Sequence, residues 1–201
     1  MKTLRSFFIF AGLFSALSAG APPTSAQADG TPVFEVVQAG SYIKFNVKAS
    51  VSLTGKFDKW DASLVFASPD ESSGVLTITI QADSVDTGSG MKNGKLKGKD
   101  FFDVANNPTI TFKSTKIVKT ASNKFEVDGD FNIRGVSNPE KLTLTVTRDE
   151  SREGAITGGM IFNRKDYGMN KGIPFIKIAD HVDVSFHLNF KRTAGLRLKL
   201  E

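Results

Sequence analysis

The chain of 201 residues contains no cysteine. That excludes disulfides, thiolate nucleophiles and cysteine-ligated metal sites. It also removes the thiol that a lipid anchor on an exported bacterial protein would need. Histidine is nearly as scarce, with only His181 and His187, so general acid–base chemistry near neutral pH has few candidate groups. The nucleophile-elbow pattern G-x-S-x-G and the phosphate-cradling pattern G-x-x-x-x-G-K-[ST] are both absent. Acid pairs such as Asp70-Glu71 and Asp149-Glu150 lie in turn-like segments and read as solvated loops. The "GSG" at 88–90 reads as a turn. No catalytic constellation is visible.

One apolar run stands at the start. Phe7 to Leu17 carries no charge, follows Lys2 and Arg5, and is too short to span a bilayer. Small residues come next, and Ala26-Gln27-Ala28 forms an A-x-A cleavage signal. That is the layout of a secretory signal peptide. Residues 1–28 are expected to be removed, leaving a mature chain from Asp29 located in the periplasm or secreted. The formal charge of the whole chain is +5. Losing Lys2 and Arg5 leaves 24 basic and 21 acidic side chains, too small an excess to argue for nucleic acid. The remaining 173 residues suit one domain with its own core.

Period-two alternation dominates what is left. Ile43, Phe45 and Val47 alternate with polar residues, as do Leu76, Ile78 and Ile80, and Phe125, Val127, Phe131 and Ile133. Leu142, Leu144 and Val146 follow the same rule, and so do Val182, Val184, Phe186, Leu188 and Phe190. One apolar face per strand marks half-buried antiparallel strands. Turn chemistry separates them at 67–74, 121–123, 134–140 ("RGVSNPE") and 151–154. The expectation is an all-β fold of eight or nine strands with one short helix within 91–102. Its interior includes Leu64, Phe66, Phe112 and Phe162 beside the residues just named. Alternation fits a sandwich and a barrel equally. The 17 phenylalanines suit a filled core or an apolar cavity.

Three features remain outside that pattern. His181 and His187 share a strand face with Asp183, Ser185 and Asn189, opposite a wholly apolar face. A solvated outer face explains them better than a metal site. The stretch "KNGKLKGKDFF" (92–102) runs lysines straight into a phenylalanine pair. Arg164 follows Phe162 by two, so alternation points it inward, where it needs an acid such as Asp166 or a ligand head group, unless the strand ends at the "KDYG" that follows and leaves it at the rim. The segment 168–180 is long for a hairpin and reads either as a lid or as packed irregular chain.

Five collinear segments carry a resemblance: "GKFDKWDASLVF" (55–66), "ADSVDTG" (82–88), "LKGKDFFDVANNPTITFKST" (96–115), "VDGDFNIRGVSNP" (127–139) and "FNRKDYGM" (162–169). Their order resembles the YceI-like family of exported lipid-binding proteins, over about Phe34 to Phe190. The resemblance implies a single antiparallel lipocalin-like β-barrel of about eight strands over 29–191, with 192–201 as a basic tail. It implies an isoprenoid or other long-chain amphiphile as ligand, with no further cofactor, no metal, no nucleic acid, transient membrane contact and a possible homodimer. The apolar pocket is then expected from Phe45, Val47, Phe57, Trp60, Phe66, Ile78 and Ile80. Phe101, Phe102, Phe112, Phe131, Ile133, Phe162 and Phe186 complete it. Lys92, Lys95, Lys97, Lys99 and Arg164 are expected to meet the head group. Relatives carry an acid, a histidine and an arginine before the phenylalanine pair, where this chain has glycine and lysine. The competing expectations are a filled-core structural protein and an enzyme acting on such lipids.

Overall fold

The computed structural model describes residues 30–50, 53–148, 152–172 and 177–198. The expected signal peptide lies outside them. Ten strands follow in order: β1 (Val33–Ala49), β2 (Leu53–Phe57), β3 (Trp60–Phe66), β4 (Gly74–Gln81) and β5 (Val85–Asp86), then β6 (Thr109–Ala121), β7 (Lys124–Ile133), β8 (Val136–Arg148), β9 (Glu153–Asn163) and β10 (Ile178–Ala194). A helix, α1 (Gly90–Lys97), stands between β5 and β6. Neighbouring strands pair antiparallel, and β10 returns to pair with β1. The sheet therefore closes as an eight-stave antiparallel barrel, with β2 and β5 as short additions.

β1 makes the closure possible by changing partner along its length. Its lower end meets β3 at Val33↔Val65, and its upper end pairs with β2 from Lys44 to Val47. Between them its ladder with β10 slips from Val37 to Tyr42, around Gly40 at φ 78°. A bulge of this kind bends a strand and adds twist. Local hydrogen bonds hold it: the Asn189 amide donates to Ser41 Oγ at 2.8 Å, and Asn189 Nδ2 donates to the Ala39 carbonyl at 2.9 Å.

Two sequence boundaries differ. The turn expected over 134–140 is only Arg134-Gly135, both with positive φ (57° and 74°). That suits a two-residue hairpin whose twist matches its strands. Ser137 to Glu140 already belong to β8. Pro139 is tolerated there because β9 pairs with β8 only from Thr143 onward, so no neighbour needs its missing N–H. At the other end β10 runs on to Ala194, and Leu196 N donates to the Gly30 carbonyl, so the barrel continues past residue 191.

The inward positions expected from alternation are buried, including Ile43, Phe45, Ile78, Phe112, Phe131, Phe186 and Leu188. Leu64 and Val184 are half-buried against the same core. His181 is exposed on the outer face, and His187 stacks on Tyr42 there with Nδ1 2.9 Å from Thr157 Oγ1. No metal-ligating cluster exists among the described residues.

Several phenylalanine rings lie across glycines of the next strand. A Cβ at Gly129 would sit 2.4 Å from Phe112 Cζ and 2.6 Å from the Lys113 carbonyl. Gly129→Ala must therefore displace both ring and backbone, and is expected to cost about 1–3 kcal/mol. Gly94, inside α1, has nothing within 4 Å of its missing Cβ, so Gly94→Ala is expected to stabilise by about 0.4–1 kcal/mol. Thermal melts of the two variants should shift in opposite directions.

Candidate functional site

Closing the sheet leaves unfilled space at one end of the barrel. There a partly open cavity of about 170 Å³ is bounded by the upper half of β1, the start of β6, the end of β7, the end of β9 and the start of β10. Its lining is almost entirely apolar, and Lys92 and Lys95 of α1 bring it to the surface. For scale, an apolar cavity of about 150 Å³ holds one benzene and stays dry when empty.

Two aromatic clusters flank this mouth. Phe45, Phe57 and Phe102 form one, with ring centroids 5.6 to 6.5 Å apart. Phe131, Phe162 and Tyr167 form the other, at 5.1 to 5.4 Å. The chain after α1 brings Phe101 and Phe102 inward, because the Phe102 amide donates back to the Leu96 carbonyl at 2.9 Å and the Phe101 amide to Gly98 at 3.0 Å. Both rings are buried and line the cavity.

Of the expected pocket residues, Phe45, Val47, Phe57, Ile80, Phe101 and Phe102 line this cavity, together with Phe131, Ile133 and Phe162. Ile78, Phe112 and Phe186 are buried deeper and do not. Phe66 lies at the opposite end of the barrel, beside a second cavity of about 50 Å³ that also reaches Leu76, Phe125 and Phe190. Trp60 lines neither. It starts a strand, half-buried, with its carbonyl accepting from Gln38 Nε2 at 3.3 Å. Alternation gives the face of a side chain but not its height in the barrel, so it does not separate these five from the rest.

The lysines divide. Lys92 and Lys95 line the mouth, whereas Lys97 and Lys99 do not. Lys95 is already paired, with Nζ 3.0 Å from Asp100 Oδ2 and 5.8 Å from the Phe101 ring centre. That hydrogen bond, with its charge, holds the Asp100 carboxyl below its usual range.

Arg164 corrects a second expectation. It lines the cavity and is buried as the first residue of a short 3-10 turn (Arg164–Tyr167), where the strand has ended. Its acid is Asp180, not Asp166, with Nη2 3.1 Å from Oδ1. Nε donates to the Ala179 carbonyl at 3.1 Å, and Nη1 donates to the Met169 and Lys171 carbonyls. Four donors of a five-donor group are thus spent on the protein itself. Arg164 is therefore a clamp on the segment after β9. Lys165, at 2.8 Å, and then Arg164 hold the Asp180 carboxyl below its usual range.

Arg134 clamps the same segment from the β7–β8 turn. It donates from Nη1 to the Gly168 carbonyl at 2.5 Å and from Nη2 to the Lys99 carbonyl at 2.8 Å. Gly168 has φ 72°, and a Cβ there would lie 2.6 Å from Arg134 Nη1. Residues 168–172 are irregular chain in which Met169 is buried and Asn170, Lys171 and Gly172 are exposed, and 173–176 lie outside the described residues.

Tyr167 is fully buried and donates to Glu140 Oε1 at 2.7 Å. Burial first, and then this bond, push its phenol well above the usual value. Sequence reasoning missed Tyr167, Met169 and Leu96, all of which lie where period two has stopped. Only the family motifs "FNRKDYGM" and "LKGKDFF" touched them.

The geometry defines a closed antiparallel barrel with an apolar cavity open at one end. Residues 34–190 match the YceI-like domain model, and the chain belongs to that family. It is similar to a UPF0312 protein of Pseudomonas aeruginosa, 29% identical over 175 residues, covering 84% of this chain and 87% of that one. A UPF0312 protein of Yersinia pestis is 30% identical over 148 residues, covering 73% and 72%. Among solved structures it is similar to BcnA of Burkholderia cenocepacia, with a TM-score of 0.70, 28% identity and coverage of 77% and 99%. A polyisoprenoid-binding domain from Saccharophagus degradans shares the fold, with a TM-score of 0.64, 19% identity and coverage of 80% and 99%.

Arg164→Ala leaves the buried Met169 carbonyl and the partly buried Ala179 and Lys171 carbonyls without its donors and is expected to cost about 3 kcal/mol. Arg164→Lys should recover little of it, because an ammonium lacks the planar fork. Urea melts of the two variants check this. The raised phenol of Tyr167 contributes stability that is full below about pH 10, the unfolded value, and is lost as pH rises above it. The melting-temperature gap between the parent and Tyr167→Phe should therefore narrow between pH 8 and pH 11.

Proposed function

We propose that this protein is exported and binds an amphiphile with an isoprenoid-type tail. The tail lies in the barrel cavity, and a polar head, anionic by preference, stays at the mouth beside Lys92. The observation that carries this reading is the cavity itself, lined by apolar side chains apart from Lys92 and Lys95 at the rim and Arg164, whose donors are engaged by the protein. The description of the Saccharophagus degradans relative as a polyisoprenoid-binding domain supports it. Each methylene-sized group buried contributes about 0.8 kcal/mol, so one five-carbon unit gives roughly 4 before association costs are subtracted. Binding rather than catalysis is the reading, because Arg164, the ionisable side chain lining the cavity away from the α1 rim, already spends its donors on carbonyls and Asp180. Action in the periplasm or outside the cell, with transient membrane contact to load and release the lipid, follows from the signal-peptide expectation.

Native mass spectrometry of the purified protein, with organic extraction of what it holds, tests the reading directly. A lipid-sized adduct is expected. A protein that carries no adduct and takes up no added prenyl lipid overturns it. Two substitutions separate the forces involved. Lys92→Gln is expected to weaken binding of a prenyl phosphate several-fold at low salt and to flatten its salt dependence, since exposed charges are screened over about 8 Å at physiological ionic strength. Binding of the matching alcohol should not change. Phe102→Ala should weaken both ligands and cost about 3–5 kcal/mol of stability, so binding is read at a temperature where the variant is folded.

A further inference from the structure

Among the described residues two cavities lie at opposite ends of the barrel, and what separates them is as well defined as the cavities are. Successive inward positions of β4 are Leu76, Ile78 and Ile80. Leu76 lines the small lower cavity, Ile80 lines the upper one, and Ile78 lines neither. β6 repeats the order in reverse, with Ile110 above, Phe112 between and Ile117 below. On β9 the sequence is Phe162, Met160, Ile156, and on β10 it is Val184, then Phe186 and Leu188, then Phe190. The intervening residues Ile78, Phe112, Val127, Met160, Phe186 and Leu188 are all buried. They form a floor across the middle of the barrel.

The floor is anchored to the wall. The Phe112 ring reaches over Gly129 of β7, where a Cβ would lie 2.4 Å from Cζ. The Phe186 ring reaches over Gly158 of β9, where a Cβ would lie 2.9 Å from Cζ. Each ring occupies the seat that a neighbouring side chain would otherwise fill, so swinging it aside leaves a glycine uncovered as well as a hole in the layer. Above the floor the space is about 170 Å³, and below it about 50 Å³. The upper space is little larger than the cavity that holds a single benzene. It accepts one five-carbon unit readily and a second only toward the open mouth.

We propose that this floor is a chain-length gauge: the upper cavity takes the first one or two isoprene units of a ligand tail, and Phe112, Met160 and Phe186 stop it there. The proposal rests on the lipid-binding reading above and adds to it the size class of tail that contributes affinity. A longer chain gains nothing from its further units inside the barrel, because they remain at the mouth.

Titration calorimetry with prenyl monophosphates of one, two, three and four isoprene units tests this on the mature chain. A buried methylene-sized group is worth roughly fourfold in affinity. The dissociation constant is therefore expected to fall at least tenfold from one unit to two, and less than twofold for each unit after that. Phe186→Ala and Met160→Ala open the floor from different strands. In each, the fall is expected to continue at least fivefold into the third unit, as the two cavities join. General loosening of the core would instead weaken all four ligands together and leave the length profile unchanged, and that result overturns the gauge. So does a parent protein whose affinity rises steadily through four units, an outcome that leaves the lipid-binding reading intact. If the parent protein binds none of the four, the lipid-binding reading fails and the gauge with it. The parent series decides the matter even where a variant does not fold.

Discussion

Pairing of β10 with β1 is the interaction on which the rest depends. It joins the first and last strands of the sheet from Val33↔Ala194 to Ala49↔Ile178 and leaves no free edge between them. Closure gives the backbone donors and acceptors of both strands partners within the sheet, so the interior owes nothing to water. An apolar, unfilled space is then tolerable inside, since it strands no polar group. An open sandwich with the same alternation would press its two faces together over a core about 10 Å thick and leave little room. The bulge at Gly40 belongs to the same constraint, because a straight β1 could not meet β3 below and β2 above.

The two ends of the barrel are treated differently. At the lower end Phe34 packs against Phe66 and Phe190 at 5.6 and 5.3 Å, and Leu198, beyond β10, lines what space remains. At the upper end the cover is made of segments that are not strands: α1 with the phenylalanine pair, and the chain from Arg164 to Lys171. Irregular chain carries backbone groups that no ladder satisfies, so a cover made from it needs donors from elsewhere. Arg134 and Arg164 supply them, to Lys99 and Gly168 and to Met169, Lys171 and Ala179. Arg134 holds a left-handed backbone at φ 57°, which costs a non-glycine residue energy. Its two carbonyl contacts offset that cost and join both halves of the cover.

The strand faces were legible in the sequence because period two is a local property. Phe112, Phe131 and Phe186 announce their direction within five residues of chain. Their height is not local. It depends on strand tilt and on the register between strands distant in sequence, so Phe66, Phe112 and Phe186 looked equivalent to Phe45 and Phe162. The charged residues were harder still. The acid nearest Arg164 in sequence is Asp166, two residues away, but the arginine's partner is Asp180, sixteen away, because the turn after Asn163 reverses the chain before any alternating signal resumes. The helix was readable only as a break in the pattern. Gly94 and Gly98 argue against helix, and α1 forms because Leu96 is buried at the barrel's mouth.

The distribution of polar groups decides what kind of selectivity such a barrel can have. A site that reads a hydroxyl or an amide needs buried donors waiting for it, and rejects an analogue because those donors are then left unpaired. Here the buried guanidinium is committed to carbonyls, the buried phenol to Glu140, and the remaining cations stand at the rim in water. A screened lysine distinguishes an anionic head from a neutral one only weakly. Discrimination therefore falls to shape: the rings at the mouth limit width, and the layer across the barrel's middle limits depth. Ligands alike in the first two units of the tail should compete for this protein even where their head groups differ, and ligands sharing a head group but differing within those first units should not be equivalent.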